Sequence, residues 1–474
     1  MEEPPLVIDL DGTLLRSDLL IESWLAFLRD QPHRLLAPLQ WLIQGKAILK
    51  RELAHATELD ASVLPYDTAV LDLIATERCK GRRVVLATAS HRTLAERVAT
   101  HLALFDQVIA TDAQRNLSAG TKRDALVEAF GHQGFDYAGN SASDLPVWSA
   151  ARRAYLVNAS ASTERRARAV GNVSRVLCPH PPGIGDWIAE LRLHQWLKNL
   201  LIFVPMLAAH RYADLRLALD ALLAFLCFGL CASSVYILND LLDLREDRHH
   251  VHKRTRAFAS GRLSVQSGLA VFPTLLAASF AIALWRLPLA FTAGLAAYYV
   301  LTLAYSMALK RRMVIDVIAL AVLYTLRIVA GGIGLGIPLS FWLLGFSMFM
   351  FLSLAFAKRY AELFHMQTQG SAEKIRGRGY FPGDLQMIAS LGAAAGYIAV
   401  MVLALYINDA RTTQLYRQPE FIWLACPLLL TWISRVWMLA HRGTMHEDPV
   451  IFAVRDRTSL ALGAAIALVL WAAT

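Results

Sequence analysis

The sequence predicts an α/β domain with a small helical cap, followed by an all-α polytopic membrane domain of about nine transmembrane helices. The 474-residue chain is 56 % hydrophobic and only 18 % charged, which is too little charge to cover a wholly water-soluble protein. Charged and apolar residues mix up to about residue 182, whereas long uncharged runs recur beyond it. We therefore predict two domains, at residues 1–182 and 183–474, with the cap at about 18–66.

Short apolar strands that end in polar side chains define the first domain. The run Leu-Val-Ile leads into Asp9 and Asp11, and a second apolar run ends in Thr88. Lys122 follows, and a third strand leads to Asp144. Because ligands of open α/β sheets bind at the carboxyl ends of the strands, we expect these side chains to share one site. Two carboxylates there can serve as nucleophile and proton donor.

This order of motifs resembles the haloacid dehalogenase superfamily of phosphatases, which has a Rossmann-like α/β fold, across roughly the first 180 residues. The resemblance implies that Asp9 is the nucleophile that forms an aspartyl-phosphate, and that Asp11 is the general acid and base. It implies Thr88 and Lys122 as phosphate binders. The implied Mg²⁺ ligands are Asp9, Asp11, Asn140 and Asp144, with Asn140 at a position where the superfamily often has Asp. The alternative is a degenerate domain that only folds or docks.

Runs of mainly apolar residues predict the spanning helices, since a helix needs about 20 such residues to cross a bilayer. They lie at about 196–209, 215–238, 266–286, 289–306, 314–335, 340–357, 385–407, 419–440 and 457–473.

The positive charge of the chain is concentrated between these runs. The sequence has 47 Lys and Arg against 38 Asp and Glu. Basic residues cluster at 247–262, 310–312, 358–378 and 441–457, and the positive-inside rule makes such loops cytoplasmic. This location argues against nucleic acid as a partner. We expect an integral protein of the cytoplasmic (inner) membrane whose N-terminal domain and active sites face the cytoplasm.

Acidic residues follow the helix predicted at 215–238. Asp240, Asp243 and Asp247 are spaced i, i+3 and i+7, so on a continuous helix they share one face and can converge on divalent cations. Lys253 and Arg254 come shortly after. Cations beside an acidic metal site suit a pyrophosphate whose charge is shared between Mg²⁺ and basic side chains. The alternative is a charged loop that only sets orientation.

These residues resemble the NDxxDxxxD motif of the UbiA superfamily of intramembrane transferases, which coordinates Mg²⁺ and a diphosphate. The motif begins at Asn239, and the resemblance spans essentially residues 186–474. It is closer still to the polyprenyl-phosphate phosphoribosyltransferases of the decaprenyl-phosphate type. The resemblance to that branch implies phosphoribosyl pyrophosphate as donor and a polyprenyl phosphate as acceptor.

Roles for further residues follow if this donor is correct. Asp240, Asp243 and Asp247 would hold Mg²⁺ on the departing pyrophosphate. Asp316 would position the ribose hydroxyls or a second cation. The remaining predicted substrate-binding residues are Lys253, Arg254 and Lys310 for the donor charge, Lys198, Lys358 and Arg359 for the acceptor phosphate, and Asn199 and Asn239.

The fusion of the two domains suggests that the phosphatase removes the 5-phosphate to leave polyprenylphosphoryl ribose. Two alternatives remain open for the membrane domain. One is prenyl transfer from a prenyl diphosphate to an aromatic acceptor, which the single aspartate of the second motif, Asp316, disfavours. The other is a transporter or scaffold without chemistry, which leaves the aligned acids unexplained. Whether the chain forms a homo-oligomer also stays open.

Overall fold

The computed structural model describes residues 3–112, 115–177, 183–368, 379–407, 416–445 and 448–474. The chain forms two compact units. The first comprises Met1–Leu191 and Tyr236–Phe272, and the second comprises Arg192–Val235 and Pro273–Thr474. We call Tyr236–Phe272 the aspartate segment. The predicted domain boundary between 182 and 183 adjoins residues outside the described ranges and stays a prediction.

A six-stranded parallel sheet organises the first unit. Its strand order is β3-β2-β1-β4-β5-β6. In this doubly wound order, successive strands are added on one side of β1 and then, from β4, on the other, and a ligand crevice forms at the switch between β1 and β4. The strands are β1 (Leu6–Ile8), β2 (Val84–His91), β3 (Gln107–Thr111), β4 (Asp136–Gly139), β5 (Arg153–Val157) and β6 (Val173–Leu177).

Apolar side chains cover both faces of this sheet, as expected for parallel strands. Alternate residues of β1 point to opposite faces. Leu6 and Ile8 belong to one buried cluster, while Val7 packs with Tyr137 and Trp148 in the other. The three apolar residues of β1 are fully buried, so the polar residue that follows them, Asp9, lies at the edge of a rigid core.

Helices connect the strands and fill the interval between β1 and β2, where the cap is predicted. Asp18 caps the first of them by accepting the backbone N–H of Ile21, as N-cap carboxylates commonly do. The α-helices of the first unit up to residue 191 are α1 (Leu19–Asp30), α2 (Ala37–Gln44), α3 (Lys46–Ala56), α4 (Thr68–Cys79), α5 (Arg92–Leu102), α6 (Gly120–Phe130), α7 (Leu145–Ala150), α8 (Ala161–Val170) and α9 (Ile184–Leu191).

The regular elements described after residue 191 are all helical, which confirms the predicted all-α membrane domain after an α/β domain. The 3₁₀ segments are Leu193–Phe203, Lys253–Thr255, Leu309–Arg311, Pro382–Asp384 and Pro419–Leu424. The α-helices are α10 (Val204–Ala208), α11 (Leu215–Leu242), α12 (Leu244–His249), α13 (Val265–Arg286), α14 (Leu289–Met307), α15 (Ile315–Gly334), α16 (Phe341–Thr368), α17 (Leu385–Ile407), α18 (Ala425–His441), α19 (Pro449–Arg455) and α20 (Arg457–Ala473).

The count of spanning helices differs from the predicted nine. Within the described ranges, seven helices are long and apolar enough to cross a membrane, or eight if α19 and α20, which meet at 81°, form one bent span. The predicted span at 196–209 is wrong. The chain there forms an 11-residue 3₁₀ helix and the five-residue α10, each shorter than the about 20 residues that a spanning α-helix needs.

Candidate active sites

The pair of Asp9 and Lys122 forms the centre of the site in the first unit. Asp9 follows β1, and Lys122 lies in the first turn of α6. The ammonium of Lys122 donates to Asp9 Oδ1 at 2.7 Å and to the hydroxyl of Tyr137 at 2.9 Å. Burial raises the pKa of Asp9, and the charge of Lys122 opposes that rise. The sheet thus holds a carboxylate beside a buried cation, as attack on a phosphoryl group requires.

Asp144 lies next to this pair. Its Oδ1 accepts a hydrogen bond from Tyr137 at 2.9 Å, and its Oδ2 accepts the backbone N–H groups of Asn140 and Ser141 at 3.1 and 3.0 Å. Lys122 Nζ lies 3.6 Å from Asp144 Oδ1. Asp144 is therefore engaged on both oxygens and helps to orient Lys122.

Asp11 is arranged to carry a proton. Its Oδ1 accepts the backbone N–H of Leu19 at 2.8 Å, and its Oδ2 accepts the hydroxyl of Ser90 at 2.7 Å. Burial, reinforced by the charge of Asp18, raises the pKa of Asp11 to about 6. A carboxyl group with such a pKa is suited to general acid–base catalysis near neutral pH.

A cavity of about 700 Å³ opens at this edge of the sheet. Four of the predicted residues line it, namely Asp9, Asp11, Lys122 and Asn140. Thr88 and Asp144 do not belong to the lining. Thr88 is fully buried, and its hydroxyl accepts the backbone N–H of Ser90 at 2.9 Å and donates to Asp11 Oδ2 at 3.4 Å.

Among the lining residues that the sequence analysis did not predict, Ser90 lies in β2 and Lys50 contacts that strand. Ser90 lies two residues beyond Thr88 on the same strand, so the strand-end pattern could have included it. Lys50 comes from α3 and donates to the carbonyl of Ala89 at 2.6 Å and to Asn116 at 2.8 Å. Burial lowers the pKa of Lys50. No strand-end signal points to Lys50, because it lies in the helical interval between β1 and β2.

The oxygen-rich lining fits a hard divalent cation. Asp9, Asp11 and Asn140 all reach the cavity, and Mg²⁺ prefers carboxylate and carbonyl oxygens. Gly12, at φ +76°, makes room for Asn140, because a Cβ on Gly12 would lie 2.0 Å from Asn140 Nδ2. Even so, the described part of the chain contains no group of three or more His, Cys, Asp or Glu side chains arranged to hold a metal ion.

In the aspartate segment, Arg256 brings two of the three predicted carboxylates together. Its guanidinium donates to Asp240 Oδ1 at 2.9 Å and to Asp247 Oδ2 at 2.7 Å, and both aspartates are buried. Lys253 Nζ lies 3.9 Å from Asp247. Burial raises the pKa of Asp247, while Arg256 opposes the rise. The pair is thus an acidic site with a cation already between its oxygens.

Asp243 does not join this pair. Helix α11 ends at Leu242 and α12 begins at Leu244, so Asp243 lies at the junction instead of on one continuous helix. Its Oδ1 lies 3.3 Å from the guanidinium of Arg29. Of the three aspartates that we expected to converge, Asp240 and Asp247 share the guanidinium of Arg256, and Asp243 contacts Arg29. Asn239 lies in α11, and Arg254 lies in the 3₁₀ turn Lys253–Thr255.

In the second unit, Asp448 gathers two of the predicted phosphate-binding lysines. Its carboxylate accepts from Lys198 at 2.8 Å, from Lys358 at 3.0 Å and from the hydroxyl of Tyr324 at 3.2 Å. The sequence analysis assigned no role to Asp448. The signal was available, because Asp before Pro449 is a typical helix N-cap.

Asn199 lies in a second buried polar cluster of that unit. Its Oδ1 accepts from Arg327 at 2.9 Å, and Arg327 also donates to Tyr298 at 2.9 Å. Within the described ranges, the Nδ2 group of Asn199 is buried without a hydrogen-bond partner. A buried unpaired donor is costly, so this amide is the best-placed group in the cluster to bind a ligand oxygen.

Asp316 and Arg359 lie in a closed network. Arg359 donates to Asp316 at 2.7 Å and also pairs with Glu362, and the hydroxyl of Tyr380 donates to Asp316 at 2.5 Å. Both charged groups are fully buried. Their predicted contacts with substrate stay predictions, as does that of Lys310, which lies in the 3₁₀ turn Leu309–Arg311.

Comparison with protein families assigns both parts of the chain. The profile of the UbiA prenyltransferase family matches residues 200–455, and that of haloacid dehalogenase-like hydrolases matches residues 6–149. Together with the seven long apolar helices of the described ranges, the first match makes the chain an integral membrane protein.

Individual proteins are similar over different lengths. The uncharacterized protein y4nM of Sinorhizobium fredii is 40 % identical over 98 % of this chain and 90 % of its own length. Decaprenyl-phosphate phosphoribosyltransferase of Mycolicibacterium smegmatis is 30 % identical over 58 % of this chain and 87 % of its own. The structure of a UbiA homolog from Archaeoglobus fulgidus, bound to DMAPP and Mg²⁺, covers 60 % of this chain and 96 % of that one, at 17 % identity and a TM-score of 0.45.

Proposed function

Because the chain belongs to the UbiA prenyltransferase family and has a haloacid dehalogenase-like domain before it, we propose a two-step enzyme. Its membrane domain transfers a phosphoribosyl group from phosphoribosyl pyrophosphate to a polyprenyl phosphate of the decaprenyl type. Its first domain then removes the 5-phosphate, which leaves polyprenylphosphoryl ribose. The observation that carries the proposal is the 30 % identity to a decaprenyl-phosphate phosphoribosyltransferase over 87 % of that protein.

In the transfer step, an oxygen of the acceptor phosphate bonds to C1 of ribose while the bond from C1 to pyrophosphate breaks. The pyrophosphate leaves with the electron pair, and its charge requires cations. In the aspartate segment, Lys253, Arg254 and Arg256 supply them. In the second unit, Asp448 keeps the ammonium groups of Lys198 and Lys358 together, which suits them to an acceptor phosphate. The acceptor is already anionic, so the step needs no strong general base.

In the phosphatase step, Asp9 attacks the phosphorus of the 5-phosphate, and the bond to the ribose oxygen breaks. Asp11 donates a proton to that oxygen as it leaves. A water molecule then attacks the aspartyl-phosphate, Asp11 takes its proton, and inorganic phosphate departs with Asp9 restored. Lys122, which contacts Asp9 at 2.7 Å, offsets the phosphate charge throughout.

Both steps fit Mg²⁺ as cofactor. In the first domain, Asp9, Asp11, Asn140 and the nearby Asp144 would hold it. In the aspartate segment, Asp240 and Asp247 would do so, and Asp243 would join them by giving up its contact with Arg29. When bound, the ion would neutralise phosphate or pyrophosphate charge. Arg256, which contacts Asp240 and Asp247, would then turn toward the pyrophosphate. We place the enzyme in the cytoplasmic membrane with both sites on the cytoplasmic side.

The test uses purified full-length protein in detergent with Mg²⁺, phosphoribosyl pyrophosphate labelled in the ribose, and decaprenyl phosphate. Wild type, Asp240→Ala and Asp9→Asn are compared by lipid extraction. We expect labelled polyprenylphosphoryl ribose from the wild type, no labelled lipid from Asp240→Ala, and labelled lipid that keeps its 5-phosphate from Asp9→Asn.

Two results would contradict the proposal. Folded wild-type protein that yields no labelled lipid would exclude phosphoribosyl transfer and make prenyl transfer to an aromatic acceptor the next reaction to test. A 5-phosphate that survives full turnover by the wild type, while the phosphatase cleaves other esters, would exclude the coupling of the two steps.

A further inference from the structure

The phosphatase cavity is lined by two parts of the chain that are distant in sequence. One part includes Asp9, Asp11 and Lys122, and the other is the stretch 261–267 of the aspartate segment. Both belong to the first compact unit. The stretch comprises the turn before α13 and the first turn of that helix. It belongs to the part of the chain that matches the UbiA family, but it lines the site of the other domain. We call residues 261–267 the wall.

The wall contacts the first domain closely at Gly261. A Cβ built on Gly261 would lie 2.5 Å from Arg16 Cβ and 3.0 Å from the carbonyl oxygen of Arg16, and the φ angle of Gly261 is +72°. Any other residue would meet both a steric clash and a strained backbone. Arg16 is itself fixed, because its side chain pairs with the buried Asp67 at 2.9 Å. The wall is therefore held against the loop that follows Asp11.

A buried ion pair also holds the part of the aspartate segment that precedes the wall. Arg248 donates two hydrogen bonds to the carboxylate of Glu22, at 2.7 and 2.6 Å, and one to the carbonyl of Ala259 at 3.0 Å. Glu22 also accepts the hydroxyl of Ser17, and the carbonyl of Ser17 accepts the backbone N–H of Gly12. These contacts connect the residues just before the wall to the loop that contains Gly12 and Ser17.

Among the cations that line the cavity, Arg262 has the acidic partner that a ligand phosphate can displace most easily. Lys122 is bound to Asp9, Arg16 to buried Asp67, and Lys50 to groups beside β2. Arg262 is 39 % exposed, pairs with the partly exposed Asp186 at 2.8 Å and donates to the carbonyl of Thr255 at 2.8 Å. Surface pairs contribute about 0–1 kcal/mol, so a ligand phosphate can replace Asp186 at low cost.

Gln266 adds a neutral polar contact. Its Nε2 donates to Asp18 Oδ2 at 3.3 Å, and the charge of Asp18 raises the pKa of Asp11. The amide of Gln266 and the hydroxyls of Ser264 and Ser267 also line the cavity. Such groups suit the hydroxyls of a sugar. The cavity, at about 700 Å³, falls within the range of sites for ligands of that size.

We propose that the wall makes this phosphatase selective for a sugar phosphomonoester that carries a second phosphate, in a diester, at the far end of the sugar. Gln266 binds the sugar hydroxyls and Arg262 binds the diester phosphate, while the phosphomonoester reaches Asp9. This inference rests on the proposed phosphatase function and adds its specificity. The wall, a segment of the transferase domain, would thus select in the phosphatase site the product that the transferase makes.

The test measures phosphate release by the full-length protein in detergent with Mg²⁺. Three substrates are compared: methylphosphoryl ribose 5-phosphate, which has the diester without a lipid, ribose 5-phosphate, and p-nitrophenyl phosphate. For the wild type we expect a KM at least about tenfold lower for the diester substrate than for ribose 5-phosphate, as one charge-assisted contact provides. Arg262→Ala should raise the KM for the diester substrate to that for ribose 5-phosphate, with kcat changed less than about twofold.

Variants separate binding from folding. Arg262→Lys should keep part of the preference, because it keeps the charge. Gln266→Ala should raise the KM for both sugar substrates by about threefold to tenfold. The matched control is Arg168→Ala, which removes another exposed arginine with a single acidic partner, Glu164, and should behave as the wild type with every substrate.

The outcomes distinguish this inference from the proposed function. Hydrolysis of p-nitrophenyl phosphate that Asp9→Asn abolishes, without a preference for the diester substrate, would overturn the selectivity of the wall alone. An Arg262→Ala effect equal to that of Arg168→Ala would do the same. A wild type that cleaves none of the three substrates would overturn the proposed phosphatase function and, with it, the selectivity of the wall.

Discussion

Two buried ion pairs in different units of the molecule have the same length but different surroundings. The pairs Asp9–Lys122 and Asp316–Arg359 both have N–O distances of 2.7 Å. Asp9 and Lys122 line a cavity of about 700 Å³, whereas Asp316 and Arg359 are fully buried and bonded to Tyr380 and Glu362. A charge inside a membrane helix is a default functional candidate, but the second pair is already satisfied by its neighbours.

The difference suggests that access, and not burial, separates a reactive pair from a structural one. In the first pair, Asp9 and Lys122 can exchange their mutual contact for a phosphate. In the second, exchange would leave a charge unpaired in a low-dielectric interior, which is costly. Variants of the first pair should therefore lose phosphatase activity, whereas variants of the second pair should lose stability.

Removing the cation of the accessible pair should have the largest effect. We expect Lys122→Met to lower phosphatase kcat/KM by at least about 100-fold, the usual cost of losing a group that stabilises transition-state charge. Formation of labelled lipid should continue. Phosphate release and lipid extraction measure the two activities, and Lys80→Met, at an exposed lysine paired with Glu77, is the control. Equal activity of the two variants would show that Lys122 has no role in the reaction.

Removing the cation of the closed pair should instead lower stability. Breaking a buried ion pair typically costs about 3–5 kcal/mol, so Arg359→Met should lower the Tm of the protein in detergent by several degrees. The double variant Asp316→Leu with Arg359→Met removes both charges and should recover most of that loss. A single variant as stable as the wild type but without transferase activity would assign Arg359 to the substrate instead.

The sequence predicts one of these pairs far better than the other. Asp9 and Lys122 belong to an ordered series of strand-end motifs, and parallel strands bring their carboxyl ends to one edge. Asp316 and Arg359 are 43 residues apart on different helices, and no local pattern states which helix faces meet.

Other features escaped the sequence for similar reasons. The wall lies about 250 residues from Asp9, so only tertiary structure shows that it reaches the same cavity. Asp243 was placed with its neighbours by assuming a continuous helix, but α11 ends one residue before it. The predicted span at 196–209 failed because hydropathy measures composition and not helix type, and 193–203 is a 3₁₀ helix.

The contact at Gly261 can be tested against a glycine in open space. Gly261→Ala should cost about 2–3 kcal/mol, from an unfavourable φ and a clash. Gly81→Ala should cost only about 1 kcal/mol, because Gly81 has a similar φ of +77° but nothing within 4 Å of its Cβ position. Thermal unfolding in detergent measures both, and phosphatase KM for a sugar phosphate should rise only in Gly261→Ala. Equal losses would mean that the wall is loosely held.

The smallest effect concerns Asp136, a buried carboxylate of the same unit that does not line the phosphatase cavity. Burial alone would raise the pKa of Asp136, but hydrogen bonds from Arg152 and Arg82 lower it below its usual 3.8. A lowered folded-state pKa gives stability that is present above pH 3.8 and is lost as the pH falls through the folded value.

The wild type should therefore lose on the order of 1 kcal/mol below about pH 4, and Asp136→Asn, though less stable at pH 7, should lack that part of the loss. Unfolding midpoints between pH 3 and 7 would show it, with Asp124→Asn at a surface carboxylate as control. Parallel pH profiles for Asp136→Asn and the wild type would show that the charge of Asp136, despite its bonds to Arg82 and Arg152, contributes no pH-dependent stability.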